Sequence, residues 1–168
     1  SREFAEMDPL GIAWHAWSLV PGIPAAIVSV NADDLFVCHC FGPVEDADQT
    51  LFGQVGRPFA YELLNTSRWK PTLLAAESYG TDRVFLSGDA AHQYIPVYGL
   101  GYNTAVIDAT NLAWKLAAVE QGWGGPQLLK SYEQEQRPLG IARRDLVGAG
   151  MLQLASWQRA VRPEGLQA

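Results

Sequence analysis

The stretch RVFLSGDAAHQYIPVYGLGYN, residues 83–103, decides the fold of the second half of this chain. It begins with the continuous apolar run VFLS (84–87), which predicts an inner strand of an α/β layer, covered on both faces. Gly88 and Asp89 follow and place a carboxylate at the carboxyl edge of the sheet, where open α/β folds bind ligands. An ionised aspartate only accepts hydrogen bonds, so Asp89 suits a ligand rich in hydroxyl groups, such as a ribose or ribityl chain. His92 is more simply explained as a structural hydrogen-bonding residue than as a catalyst.

The loop beyond this acid has a backbone that a flat ligand can approach closely. Pro96 and the glycines Gly99 and Gly101 shape it. A helix that begins at about Tyr102 aims free N–H groups at the ligand and favours negative charge there, by about 0.3–1 kcal/mol when exposed. Together these features suit a planar, partly anionic heteroaromatic molecule with a polyol tail. Each residue alone is also common in a turn or a cap.

Composition narrows the classes of function. With 168 residues, 48% of them hydrophobic, the chain can bury a core, and its length suggests one domain or a domain and a fraction. The net charge is −6 and no basic face is evident, which argues against a nucleic-acid partner. No apolar run approaches the roughly 20 residues that cross a bilayer, and the N-terminus lacks the layout of a signal peptide. A cytoplasmic protein without membrane attachment is therefore expected.

The two cysteines are expected to be free thiols. Cys38 and Cys40 lie two residues apart in a predicted strand, which is a poor geometry for bridging each other. His39 would point to the opposite face of that strand, and no C-x-x-C or H-x-x-x-H spacing occurs, so no metal site is predicted.

The first part of the chain is predicted to be an antiparallel β meander and the second part to be mainly helical. In the most regular helical segment, alanine and leucine residues between 105 and 116 recur at helical spacing, with Asn103 or Thr104 as the N-cap. The charged residues of 133–137 are expected on a solvated helix face. The predicted strands cover 12–20, 24–30, 34–41 and 71–78, and the predicted helices cover 49–56, 103–122, 124–140 and 141–160.

Two segments of the sequence resemble a known family. The residues RVFLSGDAAHQYIPVYGLGYNTAVIDATNLAWKLA (83–117), followed by LLKSYEQEQRPLG (128–140), are similar to the second FAD-binding motif and downstream helices of the class A flavoprotein monooxygenases. These are the para-hydroxybenzoate hydroxylase-like aromatic hydroxylases, and the similarity is greatest to their phenol and polyketide hydroxylase branch. The resemblance covers 77–145. It implies an enzyme in which NAD(P)H reduces FAD, and oxygen then hydroxylates a phenolic substrate through a flavin C4a-hydroperoxide.

The resemblance also implies roles for individual residues. Asp89 would hydrogen-bond the ribityl chain of FAD, and Pro96 would lie beside the isoalloxazine ring. The backbone N–H groups of Tyr102 and Asn103 would point at the N1–C2=O edge of that ring, where a helix N-terminus stabilises the negative charge of reduced flavin. The implied cofactor-binding set is completed by Gly88, Gly99 and Gly101. The resemblance assigns no catalytic residue.

The implied fold combines α+β and α/β parts. Residues 1–76 would belong to the antiparallel sheet of a substrate domain, and residues 77–168 to the last strand and C-terminal helices of a Rossmann-like FAD-binding domain. The family's G-x-G-x-x-G unit, which holds the FAD pyrophosphate, has no counterpart in this sequence, and neither has its Asp-Gly motif. A lone strand at 84–87 would expose sheet edges, so we expect self-association, or a missing N-terminal half or partner chain.

Some positions depart from the family's pattern. Ile95 and Ala105 are mild changes, but Tyr98 replaces a usual glycine beside the flavin ring, where its side chain would either collide with the ring or stack on it. The alternative to an active hydroxylase is therefore a non-catalytic fragment or small-ligand module that binds FAD weakly or not at all. Halogenase chemistry is disfavoured because the W-x-W-x-I-P signature is absent. Trp14, Trp17 and Phe36 would line an aromatic pocket or fill a core, and a core is favoured.

Overall fold

The structure is a computed structural model, and it describes residue 3 and residues 14–18, 25–40 and 46–160. These residues form two compact units, and the second unit begins after Ser67. None of the helices in these ranges is long and apolar enough to cross a membrane. In chain order the elements are β1 (His15–Ser18), β2 (Ala25–Ser29), β3 (Phe36–Cys40), α1 (Ala47–Val55), β4 (Leu74–Ala75), a 3₁₀ turn (Gly88–Ala90), β5 (His92–Gln93), α2 (Leu100–Glu120) and α3 (Pro126–Ala160).

The first unit contains a three-stranded antiparallel sheet in the order β1-β2-β3. The predicted meander is therefore confirmed, with Ala26 of the middle strand opposite Trp17 on one side and His39 on the other. Burial alternates along β3, where Cys38 and Cys40 are half-buried and His39 is exposed. Both thiols are free, as expected, with their Sγ atoms 3.6 Å apart. Burial, followed by the neighbouring Cys40, raises the pKa of Cys38 to about 12.

Two further expectations for this unit have different outcomes. The helix predicted over 49–56 is present as α1, whose first turn is capped by Asp46 and whose end is capped by Gly56 with a φ of 83°. The prediction of a core is wrong for Trp14 and Trp17, which are 65% and 37% exposed, whereas Phe36 is half-buried. Among the described strands, β1 lies at the edge of the sheet and pairs with β2 alone.

The second unit contains little sheet. The run 84–87, predicted as an inner strand, forms a single bridge between Phe85 and Gly80. The strand predicted over 71–78 is reduced to β4, which pairs with β5 so that Ala75 lies opposite His92. The prediction of an inner strand is therefore wrong for this chain. A strand needs neighbours that donate and accept along its length, and the described part of the unit supplies only this bridge.

Two long helices form the rest of the second unit. α2 begins directly after Gly99, which adopts a left-handed φ of 64° and is the N-cap, so the predicted cap at Asn103 or Thr104 is wrong. The predicted break between the second and third helices is also wrong, because α3 continues through Pro138. A proline inside a helix costs about 3 kcal/mol. Packing of α3 on α2, β4 and β5 offsets this cost.

The buried face of α2 is polar. The spacing of four residues predicts an apolar buried face, but Ala109 and Leu116 are exposed and only Ala105 and Leu112 are half-buried. Leu112 packs against the core. The buried positions are instead Thr104, Asp108, Lys115 and Ala118. Each polar side chain in this set bonds to a partner from another element, which offsets the cost of burying it. Apolar spacing alone does not distinguish a face covered by this chain from one that faces away from it.

The core of the second unit is built around Tyr79, Ala91 and Tyr132, which are at most 2% exposed. The hydroxyl of Tyr132 donates to the carbonyl of Leu86 at 2.7 Å. Gly140 of α3 makes room for Tyr79, because a Cβ at this position would lie under 3.0 Å from Tyr79 Oη. The core therefore depends on a close approach between a tyrosine ring and a helix backbone.

Charged residues of α3 bind the segment that precedes the 3₁₀ turn. The expectation that 133–137 is only a solvated face is wrong. Glu133 accepts the backbone N–H of Tyr79 at 3.1 Å, and Arg137 donates to the carbonyl of Ala76 at 3.2 Å. Glu133 and Arg137 lie four residues apart on one side of the helix, so both reach the same stretch of backbone.

Candidate functional site

The 3₁₀ turn carries the predicted acid. Gly88 is buried and has a φ of 61°, a left-handed conformation that glycine adopts without strain. The N–H of Ala91 donates to the Gly88 carbonyl at 2.8 Å and closes the turn. Asp89 is exposed, and its carboxylate has no hydrogen-bond or ion-pair partner among the residues that the structure describes. The turn therefore exposes a carboxylate that has no partner in the described chain, directly after a buried glycine.

The N-terminus of α2 supplies backbone donors. Because Gly99 is the N-cap, the N–H groups of residues 99–102 have no partner within the helix. Tyr102 is one of these free donors, whereas the N–H of Asn103 lies where the regular helical pattern pairs it four residues back. The Asn103 side chain donates from Nδ2 to the Gly99 carbonyl at 2.7 Å. A Cβ at Gly99 or Gly101 would meet no atom within 4 Å, so there is space around this N-terminus.

The turn and the helix are in direct contact. Asp108 of α2 accepts the N–H of Gly88 through Oδ2 at 3.1 Å. A Cβ at Gly88 would lie 3.2 Å from the Cβ of Ala105, so glycine serves this close approach as well as the left-handed φ. Most of the predicted site residues therefore lie on a turn and a helix that pack on each other. Pro96 is exposed in the loop that connects them.

Asp108, at the centre of this contact, is not predicted from the sequence. It is completely buried, and its Oδ2 also lies 2.7 Å from Nε2 of the equally buried His92. Since a carboxylate only accepts, the imidazole donates from Nε2. His92 is therefore a structural hydrogen-bonding residue, as predicted. In the sequence, Asp108 follows Thr104 by four residues, so the two lie on the same face of the helix. This spacing alone does not show that the face is buried.

Three tyrosines with raised pKa values surround the buried carboxylate. Burial raises the pKa of Tyr79 and of Tyr132 to about 12, and the charge of Asp108 adds to both rises. Burial also raises the pKa of Tyr94, whose ring stacks on His92 with centroids 4.7 Å apart. The three phenols therefore remain protonated at neutral pH beside the turn.

The side chain of Tyr98 packs on α3. A Cβ at Gly150 would lie under 3.0 Å from Oη, Cε2 and Cζ of Tyr98, so the ring lies directly on the helix backbone. Beside it is a cavity of about 410 Å³, also lined by Gly150, Gln153, Leu154 and Trp157. Two half-exposed aromatic rings, those of Tyr98 and Trp157, border this cavity.

Comparison with known proteins identifies the family. Residues 46–145 match the model of the FAD binding domain family. The chain is 36% identical over 159 residues to the FAD-dependent monooxygenase opdD of Penicillium oxalicum, covering 83% of this chain and 30% of that protein. It is also 36% identical over 138 residues to the tetracenomycin A2 monooxygenase-dioxygenase of Streptomyces glaucescens, covering 75% of this chain and 24% of that protein.

Solved structures are similar in fold. The crystal structure of the flavin-dependent monooxygenase PieE in complex with FAD and substrate has a TM-score of 0.69 at 30% identity, over 86% of this chain and 26% of that one. The rebeccamycin biosynthetic enzyme RebC with reduced flavin has a TM-score of 0.65 at 34% identity, over 75% and 25%. The chain thus spans about a quarter to a third of the length of these relatives. It belongs to the FAD binding domain family, as part of the fold found in flavin-dependent monooxygenases and polyketide hydroxylases.

Proposed function

We propose that this chain supplies the ribityl and ring contacts of an FAD-dependent monooxygenase that hydroxylates a phenolic or other aromatic substrate. The observation that carries the proposal is the uncommitted carboxylate of Asp89, on a turn that packs against a helix with free N-terminal donors. A carboxylate matches the hydroxyl groups of a ribityl chain, and a helix N-terminus matches the electron-rich edge of a flavin ring. The similar proteins are flavin-dependent monooxygenases, which supports the reaction class.

Each site residue has a role in this proposal. Asp89 accepts hydrogen bonds from the ribityl hydroxyls, and the free N–H groups at the start of α2, including that of Tyr102, bind the N1–C2=O edge of the ring. Asn103 holds the first helical turn through its bond to Gly99, and Pro96 borders the ring. When bound, FAD supplies electron transfer and oxygen activation, with NAD(P)H as the electron donor. The protein binds and orients the ring and excludes water from it.

The proposal assigns residues 1–76 to the substrate-binding sheet and residues 77–168 to the FAD-binding domain. The sequence contains no G-x-G-x-x-G unit for the pyrophosphate. We propose that this half of the cofactor is bound by further residues of the same protein, by a partner chain or by a second copy.

Flavin titration tests the proposal. Binding of FAD by the purified chain is followed through quenching of flavin fluorescence. Asp89→Ala removes hydrogen bonds to a charged acceptor and should weaken binding by about tenfold to a hundredfold. Asp82→Ala removes another exposed carboxylate of the same unit and should leave the affinity unchanged. Equal losses in both variants, or no flavin binding by the wild-type chain, would overturn the proposal.

In addition to the proposed substrate-binding sheet of residues 1–76, the cavity bordered by Tyr98 and Trp157 is our candidate contact for the aromatic ring of the substrate. Tyr98 directly precedes Gly99, the N-cap of the helix at which we place the flavin ring. Stacking between aromatic rings contributes about 0.5–1.5 kcal/mol, so Trp157→Ala should weaken phenol binding by about two- to tenfold in calorimetry. Trp123→Ala removes an exposed tryptophan outside the cavity and is the control. Wild-type affinity in Trp157→Ala would place the substrate elsewhere.

A second candidate function is a non-catalytic flavin- or small-ligand-binding module. The side chain of Tyr98, at a position where the family usually has a glycine beside the flavin ring, favours it. Oxidation of NADPH in the presence of FAD and a panel of phenols distinguishes the two functions. Oxidation stimulated by a phenol indicates a hydroxylase, and flavin binding without turnover indicates the module.

A further inference from the structure

We propose that Asp108 and His92 are positioning residues for the cofactor, because their buried bond holds the turn that presents Asp89. The inference rests on the function proposed above, in which Asp89 binds the ribityl chain. Neither Asp108 nor His92 is exposed. Both would therefore act on the ligand only through Asp89, the exposed acid between Gly88 and His92.

The pair holds the turn on both sides of Asp89. The N–H of Gly88 donates to Oδ2 of Asp108 at 3.1 Å, and Nε2 of His92 donates to the same oxygen at 2.7 Å. Gly88 precedes the acid by one residue, and His92 follows it by three. One carboxylate oxygen therefore fixes the backbone before the acid and a side chain after it.

His92 is held in place by two further elements. Its backbone belongs to β5, opposite Ala75 of β4, and its ring stacks on Tyr94 at an interplanar angle of 9°. Tyr94 in turn donates from its hydroxyl to the carbonyl of Gly140 in α3 at 2.8 Å. The position of Asp89 therefore depends on contacts that reach α2, α3 and β4.

The bond between Asp108 and His92 lies in surroundings where such a bond is strong. Both side chains are completely buried, and a hydrogen bond to a carboxylate is stronger away from water. Two other basic residues near this bond have partners other than Asp108. Lys115 of α2 bonds to Glu135, and Arg143 of α3 donates to the hydroxyl of Thr104. Burial, and after it the charge of Asp108, raises the pKa of Tyr79 to about 12.

Hydrogen exchange of the Gly88 amide measures, without any ligand, how strongly Asp108 protects the backbone of the turn. The exchange rate of the Gly88 amide, followed by NMR, should rise by about tenfold or more in Asp108→Ala. Asp108→Asn keeps the shape and an acceptor oxygen, so it should restore most of the protection even if Asp108→Ala folds poorly. Lys115→Met is the matched control, because Lys115 is equally buried on the same helix but bonds to Glu135 and Ser131. It should leave the exchange of Gly88 unchanged.

A double-variant cycle measures the effect on the cofactor. His92→Phe keeps a ring for Tyr94 to stack on and removes the donor to Asp108, so FAD affinity should fall by about tenfold. Because the loss acts through Asp89, the double variant Asp89→Ala/His92→Phe should bind FAD no more weakly than Asp89→Ala alone. A merely structural role would lower stability without this coupling, as expected for Lys115→Met.

The outcomes separate the two proposals. Additive losses in the double variant, wild-type FAD affinity in His92→Phe, or unchanged Gly88 exchange in Asp108→Ala would each overturn the positioning role. FAD binding that depends on Asp89 but not on His92 overturns this inference alone. If the wild-type chain binds no FAD, the proposed function and this inference fail together.

Discussion

The close approach of Tyr79 to α3 leads to a quantitative prediction about Gly140. A Cβ at Gly140 would lie under 3.0 Å from Oη and 3.2 Å from Cζ of Tyr79. Tyr79 is completely buried and lies between the rings of His92 and Tyr132, with centroid distances of 6.3 Å to each, so its ring cannot move aside at low cost. Overpacking of this kind costs about 1–3 kcal/mol, whereas alanine in place of a helix-interior glycine gains about 0.5–1 kcal/mol. Gly140→Ala should therefore lower the free energy of unfolding by up to about 2.5 kcal/mol.

Gly148, on the same helix, is the matched control. A Cβ there would make an ordinary contact of 3.5 Å with Cδ1 of Leu73, so Gly148→Ala should stabilise the chain by about 0.5–1 kcal/mol. The gain from helix propensity is common to both variants and cancels in their difference. That difference is the overpacking cost of about 1–3 kcal/mol, and for a chain of 168 residues it corresponds to a separation in Tm of at least about 2 °C.

Urea unfolding followed by circular dichroism measures these free energies, and Tyr79→Phe supplies the second half of a cycle. Its hydroxyl has no hydrogen-bond partner within the described part of the chain, so its removal should cost little. Without Oη the nearest ring atom to the added Cβ is Cζ, and the penalty of Gly140→Ala should shrink. Equal stability of Gly140→Ala and Gly148→Ala, or a penalty that Tyr79→Phe leaves unchanged, would refute the reasoning.

Two further predictions concern ionisation. Because the pKa of Tyr79 and of Tyr132 is raised from 10.0 to about 12, and that of Tyr94 is also raised, stability should be full below pH 10 and fall as the pH rises towards 12. Ultraviolet absorbance of the phenolate should show these three ionising late, and ionisation of all six tyrosines together near pH 10 would contradict this. The hydrogen bond from Lys115 lowers the pKa of Glu135 below 4.5, so the stabilisation is present above that pH and lost as the pH falls. The difference in unfolding free energy between wild type and Glu135→Gln should therefore shrink in acid, and a difference independent of pH would count against the bond.

The parts of the site that depend on local chemistry could be predicted from the sequence. Glycine is favoured where φ is positive, as at Gly88 and Gly99, and both positions are recognisable beside an acid and a helix start. The antiparallel meander and α1 follow from short-range patterns of β-branched, aromatic and capping residues. These signals lie within a few residues of the feature that they predict.

The parts that depend on distant neighbours could not be predicted. Asp108 lies twenty positions after Gly88, and only the packing of α2 on the turn reveals their bond. The segment 84–87 has the composition of an inner strand but lacks strands to pair with in the described chain. The predicted break between residues 140 and 141 is absent, because the tertiary packing of α3 overrides local signals.

The central claim is that the Asp89 turn and the N-terminus of α2 contact the flavin. Two-dimensional NMR of the isotope-labelled chain during titration with FAD tests it most directly. The account predicts that the amides of 88–90 and 99–102 shift, with the same concentration dependence as the quenching of flavin fluorescence. Riboflavin should produce the same shifts, because only the ring and ribityl chain are bound there. Saturating FAD that leaves the amides of both segments unmoved would contradict the claim.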